Sequence, residues 1–253
     1  MNYSSKLKKV LLQNAIDLAK KYSYRGEVHK TAFIFDKISD NFYTDSYNNI
    51  DKISEYKVRL EKQHSHFAKE LGIREMQSSN SSDTLLMNIF TYPNILKWKS
   101  IRDLLSVNEY DKIEFGWNPG FENETSRSTE IDMRIGDVIF EAKLTEQDFT
   151  SKELSIVRTY HKVDDIIDLK LLLNRDRVSN YQLIRNVLAA HRHDYRFFLL
   201  LDERRIDLIR KFFDVKLAIK NVNLQNRCEF ITWQELTSCL GKYLKQYITE
   251  KYF

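Results

Sequence analysis

The chain has 253 residues, 42% of them hydrophobic and 30% charged, with a net charge of +4 and a sequence pI near 8.8. Such a chain can bury a full hydrophobic core as one large domain, or as one domain with an extension. The longest apolar run, residues 197–201, is far too short for a membrane helix of roughly 20 residues, and Cys228 and Cys239 are too few for a disulfide framework and lack zinc spacing. Lys6, Lys8 and Lys9 are followed by no apolar stretch of signal-peptide length, so a cytoplasmic protein is expected. The mildly basic balance permits nucleic-acid binding without demonstrating it.

Apolar spacing predicts a first helix over 4–23, through Leu7, Val10, Leu11, Ile16 and Leu18. A short strand is expected over 31–35, a Tyr-, Asn- and Ser-rich loop over 41–49 and a polar helix over 54–71. The serines at 78–82 supply N-cap candidates for a helix starting near Asp83 and pausing at Pro93, and a further helix is expected over 94–105. Alternation over 112–117 predicts a strand with Ile113, Phe115 and Trp117 on one face; a polar loop follows over 118–128. Beyond residue 150 the pattern reads as mostly helix over 151–174, helix over 179–192, a buried strand over 195–201, helix over 204–218, a short strand over 229–231 and a terminal helix over 233–251 capped by Thr232. The order is that of an α/β protein.

The stretch from Ser128 to Lys143 carries the chemistry. It predicts two strands joined by a tight turn at Gly136-Asp137, with Asp132 on the first and Glu141 and Lys143 on the second. Residues two apart on a strand share a face, so Glu141 and Lys143 project together and the hairpin can bring Asp132 beside them. Two carboxylates and an ammonium converging on a sheet suit metal-dependent phosphodiester hydrolysis, in which the carboxylates hold Mg²⁺ and the lysine orients the nucleophile or offsets phosphate charge. The same [DE]xK spacing recurs at Glu55/Lys57, Asp168/Lys170 and Asp214/Lys216, but in stretches that read as helical or irregular, where i and i+2 diverge. The bland alternative is an exposed hairpin with ordinary surface charges.

This arrangement resembles the PD-(D/E)xK nuclease superfamily, with Asp132 as its Asp and Glu141-Ala142-Lys143 as its ExK; the Pro is missing, and Thr129-Glu130-Ile131 precedes the Asp. Leu144-Thr145-Glu146-Gln147-Asp148-Phe149 resembles the "EvK-(L/F)-T-E-x-x-F" continuation of a bacterial, restriction-endonuclease-like branch, and Tyr181 to Asn186 its "YQLxRN" helix. Ser81 to Phe90 resembles the upstream "SSQAxxxNxF" helix, with Asp83 where Gln is usual. The resemblance implies a restriction-endonuclease-like mixed sheet of three meander strands, a crossover helix and a parallel fourth strand. Residues 1–74 would be a mostly helical extension and 75–253 the nuclease domain.

The resemblance also implies a Mg²⁺-dependent DNA endonuclease, with Mn²⁺ able to substitute, acting in restriction or genome defence. The alternatives are a repair, recombination or transposition nuclease of the same fold, and a catalytically silent nucleic-acid-binding module. Asp132 and Glu141 would bind the metal, with Lys143 and Gln182 completing the catalytic set. Arg185 and Tyr181 would contact nucleic acid, double-stranded DNA being the expected partner and a homodimer compatible with cutting both strands. Glu75, Asp83 and Glu130 are the candidates for an extra acid, Glu130 reading equally as a surface charge. His191 and His193, two apart on a helix end, do not face one site and are read as cations at a helix C-terminus.

Overall fold

The computed structural model describes residues 3–64, 72–120 and 130–253. Ser128 and Thr129 of the motif, the end of the helix expected over 54–71 and most of the loop expected over 118–128 lie outside the described residues. Helix α1 (Tyr3–Tyr22) leads into a hairpin of β1 (Gly26–His29) and β2 (Ala32–Phe35), then α2 (Thr44–Lys52), α3 (Ser82–Phe90) and α4 (Lys99–Leu105). Strands β3 (Ile113–Trp117), β4 (Ile131–Ile135) and β5 (Val138–Ala142) follow, then the short β6 (Ser151–Glu153), β7 (Leu173–Asn174) and β8 (Arg177–Ser179). The chain closes with α5 (Tyr181–His193), β9 (Arg196–Leu201), α6 (Ile206–Ala218), β10 (Cys228–Thr232), α7 (Trp233–Ser238) and α8 (Lys242–Tyr252).

The central sheet has five strands in the order β10-β9-β5-β4-β3. β3, β4 and β5 form an antiparallel meander, and β9 returns parallel to β5 after crossing over through α5. The protein is therefore a mixed α/β structure, and its meander, crossover and parallel fourth strand stand in the expected order. β5 and β9 are the apolar runs, rich in β-branched and aromatic residues, because helices cover both faces of the sheet there. On one face Leu7, Leu11, Leu85, Leu86, Trp233 and Ile248 pack against Met133, Phe140 and Phe198. On the other, Leu183, Val187, Leu208 and Phe212 pack against Ile139, Phe197 and Leu199.

The β4–β5 turn forms at Gly136, whose φ of +56° is the left-handed region that glycine enters without steric cost. A Cβ there would also meet Asp111 Oδ2 at 2.7 Å.

Four expectations need correction. Residues 44–52 form α2 rather than a loop: Ile50 is buried, and Ser46 Oγ donates to the carbonyl of Asn88 at 2.6 Å, so tertiary contacts override weak local propensity. The helix expected from 54 ends at Lys57 and continues as a 3₁₀ turn over Val58–Glu61. Residues 151–174 are not mostly helical: Ser151–Glu153 and Leu173–Asn174 flank β8 in a small antiparallel sheet, with short turns of helix between. The terminal helix is broken at 239–241 into α7 and α8, although Thr232 does cap its start in a capping box with Glu235.

Candidate active site

The register of β4 on β5 pairs Met133 with Phe140, Arg134 with Ile139 and Ile135 with Val138. Carried one step further, it sets Asp132 opposite Glu141, and opposed residues of an antiparallel pair project to the same face. Asp132 Oδ2 accepts the amide N–H of Ala142 at 2.8 Å, which ties its carboxylate to the backbone between Glu141 and Lys143. Glu141 is buried; its Oε1 lies 2.8 Å from Lys143 Nζ, and its Oε2 accepts from Asn186 Nδ2 at 2.8 Å. The three residues read from the hairpin thus come together at the C-terminal end of β5.

The backbone carrying Lys143 is held from three sides. Its N–H donates to the carbonyl of Leu200 at 2.8 Å, its carbonyl accepts Trp233 Nε1 at 2.9 Å, and the next carbonyl, Leu144, accepts buried Arg205 at 3.0 Å. The other motif segments converge here. Ser82 Oγ donates to Glu146 Oε1 at 2.6 Å, and Glu146 Oε2 accepts the N–H of Leu144 at 2.7 Å. The N–H groups of Tyr181 and Gln182 donate to the carbonyls of Thr150 and Phe149 at 3.2 and 3.0 Å. Segments far apart in sequence therefore meet at one end of the sheet.

Gln182 is half-buried, and its side-chain amide makes no hydrogen bond among the described residues; it sits one helical turn before Asn186, on the same face of α5. Tyr181 and Arg185 are both buried. The Tyr181 hydroxyl lies 2.5 Å from that of Tyr160, and the Arg185 guanidinium lies over the Tyr181 ring at 5.8 Å. The charge of Arg185 acts on Glu141.

Asp83 is buried in the first turn of α3, where Ser81 caps the helix by accepting from the N–H of Thr84 at 3.2 Å. Its carboxylate is engaged by Arg59 Nη2, 3.2 Å from both oxygens, and by Lys62 Nζ at 2.5 Å. Arg59 also pairs with Glu130. Glu75 lies near enough to Asp83 to feel its like charge, and its Oε2 is 4.0 Å from His64 Nδ1. Gly116, which falls opposite Asp132 between the paired Phe115–Met133 and Trp117–Ile131, has φ +66°. A Cβ there would stand 2.6 Å from Glu130 Oε1 and 2.9 Å from Arg59 Nη1, so glycine leaves room for that pair.

Electrostatics separate the acids. Burial, together with Glu141 and Asp83, pushes the Asp132 carboxyl up to about 7, against the opposing pull of Lys143 and Lys62. Burial would also raise Glu141, but Lys143, the Asn186 hydrogen bond and Arg185 outweigh it and hold this carboxyl low. Asp83 is likewise held low, Arg59 and Lys62 outweighing burial. Burial and Asp83 raise Glu75. For Lys143, burial works to lower its pKa, but Glu141, Glu146 and Asp132 prevail, so it stays above the usual lysine range and remains a cation.

The donor set fits a hard divalent cation. Asp132 Oδ1 accepts no hydrogen bond among the described residues, and Asn186 Oδ1 is buried without a donor among them. An uncompensated acid beside a second carboxylate is the electrostatic demand that Mg²⁺ meets. Among the described residues no group of three or more His, Cys, Asp and Glu is arranged around a metal position. Mg²⁺ commonly takes one or two carboxylates and completes its shell with waters and substrate phosphate.

Sequence reasoning missed Arg59, Lys62 and the contact of Asn186 with Glu141. The two cations belong to a segment distant from the motif, and only the tertiary fold brings them in. Asn186 stood within the recognised helix pattern, and the i, i+4 relation to Gln182 was the available signal. Of the other [DE]xK spacings, Glu55/Lys57 and Asp214/Lys216 fall in the helices Ser54–Lys57 and Ile206–Ala218, and Asp168/Lys170 spans the capped start of the 3₁₀ turn Leu169–Leu172. A cavity of about 290 Å³ beside α5, edged by His161, Lys162, His191 and Arg192, contains none of the hairpin residues. His193 turns elsewhere, its Nε2 lying 2.8 Å from the carbonyl of Pro119.

The fold and site define an α/β protein that presents two carboxylates and a lysine from adjacent strands of a mixed sheet. The family model described as "Restriction Endonuclease associating with ARP" matches residues 14–253, and the chain belongs to that restriction-endonuclease family. No curated protein and no solved structure matches the chain. Among the described residues no helix is long and apolar enough to cross a membrane.

Proposed function

We propose that the protein is a Mg²⁺-dependent DNA endonuclease with a restriction-endonuclease-like core. The carrying observation is the seating of the Asp132 carboxylate on the Ala142 amide, between Glu141 and Lys143. Asp132 and Glu141 would hold the metal. When bound, Mg²⁺ supplies Lewis-acid stabilisation of phosphate charge and lowers the pKa of a water nucleophile.

The chain's own residues do the rest. Lys143, kept protonated by the acids around it, is a fixed positive charge and not a proton acceptor. It offsets charge developing on the phosphate. Asn186 and Lys143 orient Glu141 from its two oxygens. Gln182 faces the same side of α5 as Asn186, where its amide can reach a water or a phosphate oxygen. Arg185 and Tyr181 are buried, so their part is to position Glu141 and α5 rather than to lie along a DNA strand.

Duplex DNA is the proposed substrate, Mn²⁺ the expected substitute metal, and restriction or genome defence the proposed role. A homodimer fits the cutting of both strands at a two-fold site. The test is nicking of plasmid DNA with Mg²⁺, with Mn²⁺ and with EDTA. Cleavage that persists in EDTA would refute metal dependence, and a protein that binds duplex DNA but never cuts it favours the silent binding module.

A further inference from the structure

Asp83 presents a physical problem that its neighbours resolve. A carboxylate only 5% exposed needs compensating charge and hydrogen bonds. Arg59 and Lys62 supply them, but the two cations are not equivalent. Arg59 is buried and bridges Asp83 to Glu130, so it is committed at both ends. The Lys62 side chain is 41% exposed, and among the described residues its ammonium is hydrogen-bonded only to Asp83 Oδ2. An ammonium carries three donors, so two remain for another acceptor.

The position of Lys62 is as informative as its exposure. Gly116 falls opposite Asp132 on the neighbouring strand, a Cβ there would stand 2.9 Å from Arg59 Nη1, and Arg59 shares the Asp83 carboxylate with Lys62, so Lys62 belongs to the Asp132 end of the sheet. Asp132, Glu141, Asp83, Glu75 and Glu146 make this end of the sheet acidic, and a phosphodiester approaching it must meet a cation. Lys143 is buried and engaged by Glu141. Arg185 is buried, with its guanidinium over the Tyr181 ring. Lys62 is the exposed cation among these site residues, and Asp83 holds it in place.

We propose that Lys62, oriented by Asp83, binds a non-bridging phosphate oxygen of the nucleic-acid strand beside Asp132. The assignment rests on the nuclease reading above. It makes Lys62, at the end of the 3₁₀ turn Val58–Glu61, part of the substrate site and gives Asp83 the task of positioning a phosphate contact.

The experiment measures duplex DNA binding by the full chain in EDTA over a series of salt concentrations, followed by cleavage with Mg²⁺ at saturating DNA. Lys62→Gln should weaken binding and flatten the plot of log affinity against log salt by about 0.9, the loss of one phosphate contact. Lys62→Arg should restore the slope. Cleavage by Lys62→Gln should fall even at saturation, because the contact lies beside Asp132; full-rate cleavage at saturation overturns that placement. Should Lys62→Gln lose the native circular dichroism spectrum, Lys62→Met, which keeps the aliphatic stem, takes its place. A wild-type slope in the folded variant overturns the assignment while leaving the nuclease reading intact. A wild-type protein that neither binds nor cuts DNA removes both.

Discussion

Asp132 and Glu141 are neighbouring acids that the protein treats differently. Glu141 has an ammonium on one oxygen and an amide on the other and stays ionised. Asp132 has a backbone amide on one oxygen and, with burial and two acids nearby, is held at about 7 against an ordinary 3.8. Between those values the folded state keeps a proton that the unfolded chain has released. Metal-free stability therefore falls as pH rises from about 4 to about 7 through this group. Asp132→Asn should leave the melting temperature in EDTA nearly unchanged at pH 4 and raise it at pH 8. Mg²⁺ should raise the wild-type melting temperature at pH 8 more than that of the variant. A melting difference that does not grow between the two pH values would contradict this electrostatic picture. Lys143 belongs to the same group but acts as a charge, so Lys143→Ala should lower the cleavage rate by roughly 100-fold or more, in the range for losing one electrostatic donor. Calorimetry should then show Mg²⁺ affinity little changed; lost metal binding with full cleavage would reverse the assignment.

At the scale of elements, β4, β5 and α5 divide the work: the strands present the acids and the helix orients them. This is why so much of the site was legible. Period-two alternation and the Gly136-Asp137 turn specify which side chains of a hairpin share a face, whereas Gln182 was marked by the resemblance of its helix to a family pattern and not by spacing. The small sheet of β6, β7 and β8 was not legible because strands of two or three residues are too short to show a period. Nor was α2, whose Asn, Ser and Tyr residues favour a loop until Ile50 and Ser46 find partners on α3. Gly116 shows the same limit: a positive φ inside β3 has its reason in the Arg59–Glu130 pair, which no local pattern announces. The division of labour within α5 is open to test. Gln182→Ala should impair cleavage more than DNA binding and leave the melting temperature close to wild type, because its amide holds no structural hydrogen bond among the described residues. Equal losses in binding and cleavage would place Gln182 in substrate binding instead.

The whole molecule must carry DNA to an acidic sheet end, and its charge distribution indicates how. The net charge of +4 coexists with the acids around Asp132, which outnumber the cations among them, so the excess of basic groups stands outside that cluster. α1 packs its apolar face on the core through Leu7, Leu11 and Leu18 and turns Lys6, Lys9, Lys20 and Lys21 outward. Lys21 pairs with Glu250 at 2.8 Å and Lys20 approaches Asp17 at 4.0 Å, whereas Lys6, Lys8 and Lys9 form no ion pair among the described residues. The first turns of α1 are thus the part of that helix suited to phosphate. Each phosphate neutralised on duplex DNA contributes about −0.9 to the slope of log affinity against log salt, and roughly four to eight contacts are expected for a site of this kind. Asp132→Ala should abolish cleavage, keep the fold and still retard duplex DNA on a gel at low salt, since it removes negative charge near the phosphate. In that background, replacing Lys6, Lys8 and Lys9 together with Gln should flatten the slope by up to about 2.7, three contacts' worth. An unchanged slope would take α1 out of the DNA path and leave Lys62 and basic groups elsewhere on the surface to account for binding. Failure of Asp132→Ala to bind DNA or RNA at any salt concentration would instead remove the endonuclease reading.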